Sequence, residues 1–489
     1  MNTVVDVLKK HILRIKQQGA SFVDTRFYPN EESENLLFLQ GNLKSNSRST
    51  STGVGVRVLV DGAWGFAAAS STDALDTLFD NAFQNAQTAA KRVVFPVQLA
   101  DRIPVTASFE SPCGIDPFSV PLNEKIDFLK RIDNKLDQPR VAQRMCNIRT
   151  VNRHIIYIDS DDVYIEKTIH DIFSDIQVVG VEKNGMAQQR SHDLRTSGYG
   201  TRGWESLVNE PDFENHSERI VEELMQVLDA EQCPQDTRSV ILLPGIMFLQ
   251  THEVIGHALE LDRILGYELS YAGGSFVRLE DFGSLQYGSD KLTVRADALL
   301  PNSPGSFGFD DDGIPCQNTV LINKGILENA ITSRQTVIEA NTKAGRKIFS
   351  GSGGCNRACN FNRFPIERMT NINIDPGTDG TLEDIIAATE NGIVLDGDRS
   401  WSIGSNREQF HFACEIGWLV KDGQITGVVK NPTYSSDTLP FWRALRAVGN
   451  DSTCELVQVP NCGKGLPSQA MVLGHRVPVC RFDGVTVGR

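Results

Sequence analysis

Apolar residues recur at helical spacing in several stretches of the first half of the chain. In residues 3–17 they return every three or four positions with lysines between them, which predicts an amphipathic helix. The same pattern predicts helices over residues 73–91, 122–138 and 212–230. Asp73, at the start of the second of these helices, is the expected cap of its first turn.

Alternating apolar and polar residues between these helices predict β-strands. Residues 20–70 divide into several short segments of this kind, and the Asp61-Gly62 pair predicts a tight hairpin turn. Strand-like alternation returns in residues 153–185. Residues 93–121 are rich in proline, so we expect them to cross the surface without regular structure.

The pattern changes near residue 231, where a polar, proline-containing stretch follows the fourth predicted helix. We place a domain boundary there, which gives a first domain of residues 1–232 and a second of residues 233–489. The second opens with a short buried strand, SVILLPG, and then a helix over residues 246–265. Beyond Gly266 the chain consists of short strand-like runs, so the second domain is predicted to be rich in β-structure.

Composition limits the possible functions. The 48 basic and 62 acidic residues give a net charge of −14, which argues against nucleic acid or an anionic membrane as a partner. No apolar run is long enough for a transmembrane helix, and the amino terminus lacks the pattern of a signal peptide. We therefore expect a cytoplasmic protein whose 10 cysteines, Cys355 and Cys359 among them, are mostly ordinary free thiols.

The sharpest local motif is His252-Glu253-Val-Ile-Gly256-His257. Histidine nitrogens bind zinc, and a glutamate beside the first ligand can deprotonate a zinc-bound water. The spacing of five residues would set the two rings about 140° apart on a regular α-helix. We therefore predict a π-type bulge or a break between the histidines, for which Gly256 would provide backbone freedom.

A core helix that contains these residues by chance is the competing interpretation of the motif. Its flanks, IMFLQ and ALEL, are apolar, so unpaired polar groups there would be costly to bury. A metal would satisfy them, but a catalytic zinc needs a third protein ligand. Glu260, three residues after His257, is the local candidate, and Cys462, expected in a glycine-flanked turn, is the distant one.

Several ordered segments resemble the TldD/PmbA metallopeptidases. They are HEVIGHALELD, the hairpin GVGVRVLVDGAWGFAAAS, DDDGIPCQNTVLINKGIL, RMTNINIDPG and the closing VGNDSTC…NCGKGLPSQ region. The resemblance spans nearly the whole chain and is densest from about residue 238 onward. The stretch GSGGCNRACNF, Arg346 and the order of residues in GKGLPSQ depart from the family pattern, which suggests a divergent branch.

The resemblance implies a two-domain α+β subunit with a β-rich metallopeptidase domain. It implies zinc ligands at His252, His257 and Cys462, with Glu253 as the general base and Glu260 outside the direct ligands. Because this chain keeps the motif, it resembles the active, TldD-like member of the family. A homodimer, or a heterodimer with a motif-less partner, is the expected assembly.

The expected function is zinc-dependent hydrolysis of peptide bonds in unfolded or extended peptides, which would bind by adding a strand to a sheet edge. Two alternatives remain. One is a zinc amidohydrolase that acts on a small molecule, which a closed pocket would favour. The other is a non-catalytic peptide-binding or chaperone-like subunit, which would bind zinc poorly or hold a fourth protein ligand in place of water.

Overall fold

The chain forms two large β-sheets with helices packed against them in the computed structural model, which describes residues 2–196, 202–208 and 211–488. The helices of the first half are α1 Asn2–Gln17, α2 Leu75–Ala90, α3 Leu122–Leu136, α4 Glu205–Val208 and α5 Pro211–Asp229. The four predicted helices are confirmed. The prediction that Asp73 caps the second helix is wrong, because α2 begins after Ala74. The Asp73 carboxylate instead accepts a hydrogen bond from the Ser71 hydroxyl.

The first sheet has seven strands in the order β3-β2-β1-β5-β6-β4, with β7 also paired to β6. The strands of this half, including the short β8, are β1 Phe22–Leu39, β2 Asn42–Val60, β3 Ala63–Ala69, β4 Thr106–Glu110, β5 Val141–Asp159, β6 Tyr164–Val181, β7 Ala187–Asp193 and β8 Arg195–Thr196. The predicted hairpin is confirmed, with Asp61 and Gly62 both at positive φ between β2 and β3. The prediction that residues 93–121 lack regular structure is wrong at β4, because this strand pairs in parallel with β6.

Two groups of helices bury different ends of this one sheet. Helices α1 and α2 pack with Phe27, Val56 and Ile156 in one apolar cluster. Helices α3 and α5 pack with Phe38 and Ile176 in another. Because β1 and β5 run through both clusters, the segments that the sequence suggested as separate short strands are parts of single long ones.

The second half contains the remaining strands and five further helices. The helices are α6 Pro244–Thr251, α7 Leu261–Ile264, α8 Arg334–Ala344, α9 Leu382–Ala387 and α10 Thr438–Arg443. The strands are β9 Glu231–Gln232, β10 Asp236–Leu242, β11 Val294–Asp297, β12 Asn318–Asn323, β13 Ile326–Leu327, β14 Asn356–Arg357, β15 Ile366–Glu367, β16 Ile372–Ile374, β17 Asn391–Ile403, β18 Gln409–Lys421, β19 Gln424–Lys430, β20 Thr433–Asp437, β21 Leu445–Val448, β22 Glu455–Lys464, β23 Gln469–Val477 and β24 Cys480–Val487. This half is β-rich, as predicted.

The large sheet of the second half closes on itself. Its order is β17-β10-β24-β20-β18, and β17 also pairs with β18, so these strands form a ring. The β22–β23 hairpin forms a smaller sheet with β8 of the first half. Helix α6 leaves the ring directly after β10 and contacts this hairpin, which brings remote parts of the chain together.

No helix in the described part of the chain has both the length and the apolar character needed to span a bilayer. The predicted cytoplasmic location stays a prediction.

Candidate metal centre

The two histidines of the motif lie on a π-turn that follows helix α6. The turn covers His252–Gly256, and the His257 N–H donates to the His252 carbonyl, which closes an i to i+5 hydrogen bond. One extra residue in the turn brings the second histidine back toward the face of the first. The two ring centroids lie 4.7 Å apart at an interplanar angle of 85°. The predicted bulge is confirmed.

The prediction that the bulge needs the backbone freedom of Gly256 is wrong. Its φ of −54° and ψ of −60° are helical values that any residue adopts, so the turn does not need glycine flexibility. A Cβ at this position would instead lie 2.0 Å from the Met369 sulfur. Gly256 is therefore explained by the close packing of the π-turn against Met369.

Cys462 lies beside these histidines, as the sequence analysis expected of the distant ligand candidate. It is not in a turn, however, but within strand β22, next to a register shift where β22 pairs with β23. The Cys462 Sγ is 3.5 Å from the His257 Nε2. One ligand atom from each of His252, His257 and Cys462 lies within 4.8 Å of the other two, and all three residues are buried.

The donor set and its spacing fit a zinc ion. Zinc binds histidine nitrogen at about 2.0 Å and cysteine sulfur at about 2.3 Å, so tetrahedral geometry sets nitrogen and sulfur about 3.5 Å apart. The nitrogen–sulfur distance between His257 and Cys462 is 3.5 Å. Within residues 2–196, 202–208 and 211–488, these three residues are the only group whose donors converge closely enough for a metal.

Glu260 contacts the far side of the His257 ring. Its Oε2 lies 2.9 Å from the His257 Nδ1, the nitrogen opposite the one that faces Cys462. Arg263 Nε donates to the same oxygen at 2.7 Å, and Lys464 Nζ lies 3.3 Å from it. Burial would raise the pKa of Glu260, but Lys464, His257 and Arg263 outweigh burial and hold it well below its ordinary value. Glu260 is thus a carboxylate that orients His257, and the local alternative for a third ligand is not favoured.

His475 occupies the corresponding place behind His252. It lies on β23, fully buried, and its Nε2 is 2.8 Å from the His252 Nδ1. Its Nδ1 is 2.8 Å from the carbonyl oxygen of Ile372 in β16. His475 was not predicted as a site residue, because a single histidine in the strand-like run MVLGHRVPV carries no local signal.

The thiol of Cys462 differs from every other thiol in the chain. All ten cysteines are free and lie in the described segments, and burial raises the pKa of each of the others, Cys355 and Cys359 included. Burial acts in the same direction on Cys462, but its interactions with His257 and with the Arg368 guanidinium outweigh burial and lower its pKa. The metal-ligating form, a thiolate, is therefore most accessible at this one cysteine.

A cleft of about 720 Å³ opens over the three donors and lies between the two halves of the molecule. Strands β6 and β7 of the first half line one wall, and β17 and β22 of the second half line the other. Glu253, next to His252 on the π-turn, lines this cleft together with the two histidines and Cys462. The predicted base therefore lies beside the predicted ligands and faces a space large enough for a peptide segment.

Arg407 also lines the cleft and was not anticipated from the sequence. Its backbone adopts a positive φ of 66°, which is unfavourable for a residue with a side chain. Its Nε is buried without a hydrogen-bond partner. Burial lowers the pKa of Arg407, and the neighbouring Glu253 carboxylate acts in the opposite direction. Arg407 is therefore a cation that lines the same cleft as Glu253.

Comparison with protein families gives three consecutive matches. Residues 27–86 match the model of PmbA/TldA metallopeptidase domain 1, residues 115–228 that of the central domain, and residues 235–489 that of the C-terminal domain. The first model covers most of β1–β3 with α2, and the second covers α3, β5–β7 and most of α5, so the two models divide the strands of one sheet that was predicted as a single domain. The predicted boundary between residues 232 and 233 stays a prediction.

Individual relatives are distant but match over nearly their full length. The metalloprotease of Methanocaldococcus jannaschii is 27% identical over 92% of this chain and 92% of its own. The zinc metalloprotease TldD homolog of Saccharolobus solfataricus is 22% identical over 96% of this chain and 100% of its own. The crystal structure of TldE from Thermococcus kodakarensis superposes with a TM-score of 0.69 at 15% identity, covering 98% of this chain and 99% of that one. The structural likeness supports the fold.

Proposed function

The chain belongs to the PmbA/TldD family of metallopeptidases, and from this premise we propose that it is a zinc-dependent peptidase that cleaves unfolded or extended peptides. The observation that carries the proposal is the convergence of His252, His257 and Cys462 beside Glu253 in the cleft. Two nitrogens and one sulfur leave one tetrahedral position open for water, as catalytic zinc requires.

Zinc held by these three residues would supply the Lewis acidity that makes water a nucleophile at neutral pH and polarises a peptide carbonyl. Glu253 accepts the proton of the attacking water on its carboxylate and then delivers it to the nitrogen of the leaving amine. The Arg407 guanidinium stabilises the negative charge that develops on the carbonyl oxygen. Both side chains line the cleft that opens over the metal ligands.

An extended peptide suits the cleft because a strand edge lines it. Strand β17 pairs with β10 only as far as Leu395, while its other edge pairs with β18 along its whole length. In the described part of the chain, the edge beyond Leu395 has no strand partner, and Asp398, Arg399, Trp401 and Ile403 of this stretch line the cleft. A peptide added there would be held by its backbone, which favours broad side-chain specificity.

The proposal is tested by replacing the base without removing the ligands. We expect Glu253→Gln to keep one zinc per chain and to lower cleavage of a reduced, alkylated unfolded protein by about 10²–10⁴-fold, because general base catalysis is lost. Glu280→Gln, a matched change of an exposed glutamate, should cleave normally. Unchanged cleavage by Glu253→Gln would contradict the mechanism. Peptide binding without cleavage by the zinc-loaded wild type would favour the chaperone-like alternative, and cleavage of small amides alone would favour the amidohydrolase.

The family resemblance also leads us to propose a dimer, either of this chain or with a motif-less partner. Light scattering coupled to gel filtration should give about twice the chain mass for a homodimer. A monomer at all concentrations would leave the heterodimer as the form to seek by co-purification.

A further inference from the structure

The hydrogen-bond chain behind His252 fixes the proton positions of two imidazoles. A carbonyl oxygen can only accept, so the Nδ1 of His475, 2.8 Å from the Ile372 oxygen, carries the proton of that ring. A neutral imidazole has a single N–H, so the Nε2 of His475 is an acceptor. The His252 Nδ1, 2.8 Å away, must then donate to it.

This assignment leaves the lone pair of His252 on Nε2. A histidine binds metal only through an unprotonated nitrogen, so the proton on Nδ1 is what makes Nε2 available as a ligand. We propose that His475 is the positioning residue that holds His252 in its metal-binding tautomer and orients its ring toward His257 and Cys462. The inference rests on the proposed function, since it assigns His475 a role toward the same metal.

The two ligand histidines are therefore oriented by different chemistry. His257 donates from Nδ1 to a carboxylate, Glu260, whose charge is balanced by Arg263 and Lys464. His252 donates from Nδ1 to a neutral ring that is itself anchored to the backbone of β16. A carboxylate is a common partner of this kind, and the unprotonated nitrogen of a neutral imidazole can accept the same N–H.

His475 itself does not qualify as a fourth ligand. Both of its nitrogens already have hydrogen-bond partners at 2.8 Å, one in the backbone and one in His252. Among the described residues, the set of converging donor atoms contains His252, His257 and Cys462 and not His475. His475 would therefore act on a bound metal only through His252.

The test compares two replacements of His475 by their zinc dissociation constants, measured in competition with a chromophoric chelator. His475→Leu removes the acceptor and should weaken zinc binding about 10–100-fold. His475→Gln supplies an amide oxygen that can accept from the His252 Nδ1–H, so it should bind within about threefold of wild type. His192→Leu, a change of a buried histidine on β7, should leave the constant unchanged.

Wild-type affinity in both variants of His475, or equal weakening in both, would overturn the proposal, since only the hydrogen-bond acceptor distinguishes them. If His475→Leu does not fold, ¹⁵N NMR of histidine-labelled wild-type apoprotein replaces it. We expect protonated Nδ1 in both His252 and His475, and a protonated Nε2 on His252 would overturn the proposal. Neither measurement uses peptide cleavage, so failure here is distinguishable from failure of the proposed peptidase activity.

Discussion

Two buried polar clusters of the molecule differ in how their groups are satisfied. In one, the Arg190 guanidinium on β7 is bonded by Glu223, Asp396 and Glu415, with every contact at 2.6–2.9 Å. In the other, His252, His257 and Cys462 turn one donor atom each toward a common point. The first cluster contains its own cation, while the second gathers ligands around a place where a cation would fit.

This difference separates a structural junction from a functional site. Arg190 and Glu223 belong to the first half of the chain and Asp396 and Glu415 to the second, so the cluster joins the two walls of the cleft. Arg219, 2.9 Å from Glu223, and Arg195, 4.0 Å from Asp396, add further positive charge, so the carboxylates are paired within the protein and need no ligand. In the metal cluster, Glu260 and His475 bond the Nδ1 atoms of His257 and His252, which leaves the Nε2 atom of each histidine available for a metal.

Removing a donor from the metal cluster should have the largest effect. We expect Cys462→Ala to weaken zinc binding by more than about 100-fold, because even residues that merely orient a ligand are worth 10–100-fold. Cleavage of unfolded protein should become undetectable at equimolar zinc. Cys359→Ala, at a thiol of raised pKa away from the donors, is the matched control and should retain both properties.

Removing the cation from the other cluster should affect stability instead. We expect Arg190→Met to lower the free energy of unfolding by about 3–5 kcal/mol, because three buried carboxylates lose the guanidinium that they share. Urea denaturation followed by circular dichroism measures the loss. If Arg190→Met keeps wild-type stability but loses zinc, the Arg190 cluster is not the structural one and our assignment of roles to the two clusters is contradicted.

Replacing Arg407 should impair the reaction without removing the metal. We expect Arg407→Met to lower kcat about 100-fold, since loss of one group that stabilises an oxyanion costs about that much. Zinc content, measured by atomic absorption, should stay at one per chain. A change confined to KM would instead assign Arg407 to substrate binding.

The smallest expected effect concerns Asp398, a carboxyl on the β17 wall of the cleft. Burial, with help from Asp193 and Glu415, raises its pKa to about 7. When folding raises the pKa of a carboxyl, the stability linked to its proton is fully present below the pKa of the unfolded chain. That stability is lost as the pH rises through the pKa of the folded protein. Asp398→Asn should therefore raise Tm by about 2–4 °C at pH 8, and the gain should shrink as pH falls to 5. A gain that does not vary with pH would show that charge is not its cause.

Local patterns predicted much of this molecule. Helical spacing located α1, α2, α3 and α5, and the geometry of a five-residue histidine spacing required the π-turn. The polar run near Glu31, however, hid the continuity of β1, because that strand bends at a register shift in the middle of the sheet. Its length is set by pairing with remote strands, which a local pattern does not record.

Site residues were predictable from the sequence where they lie in one short motif or in a segment that resembles a family motif. The residue type and spacing of His252 and His257 suggested a metal, and the family resemblance favoured Cys462 over Glu260 as the third ligand. His475, Lys464 and Arg407 were missed because their roles arise only when β23, β22 and the loop after β17 are brought against the π-turn. A lone histidine, lysine or arginine in the sequence carries no sign of such a partner.

The most direct test of the account is X-ray absorption spectroscopy at the zinc edge of the zinc-loaded protein. We predict one sulfur at about 2.3 Å and three nitrogen or oxygen ligands at about 2.0 Å, two of them histidine and one an exchangeable water. In Cys462→Ala the sulfur contribution should disappear. A wild-type spectrum without sulfur, or one with four protein ligands and no water, would contradict the claim that these three residues form a catalytic zinc site.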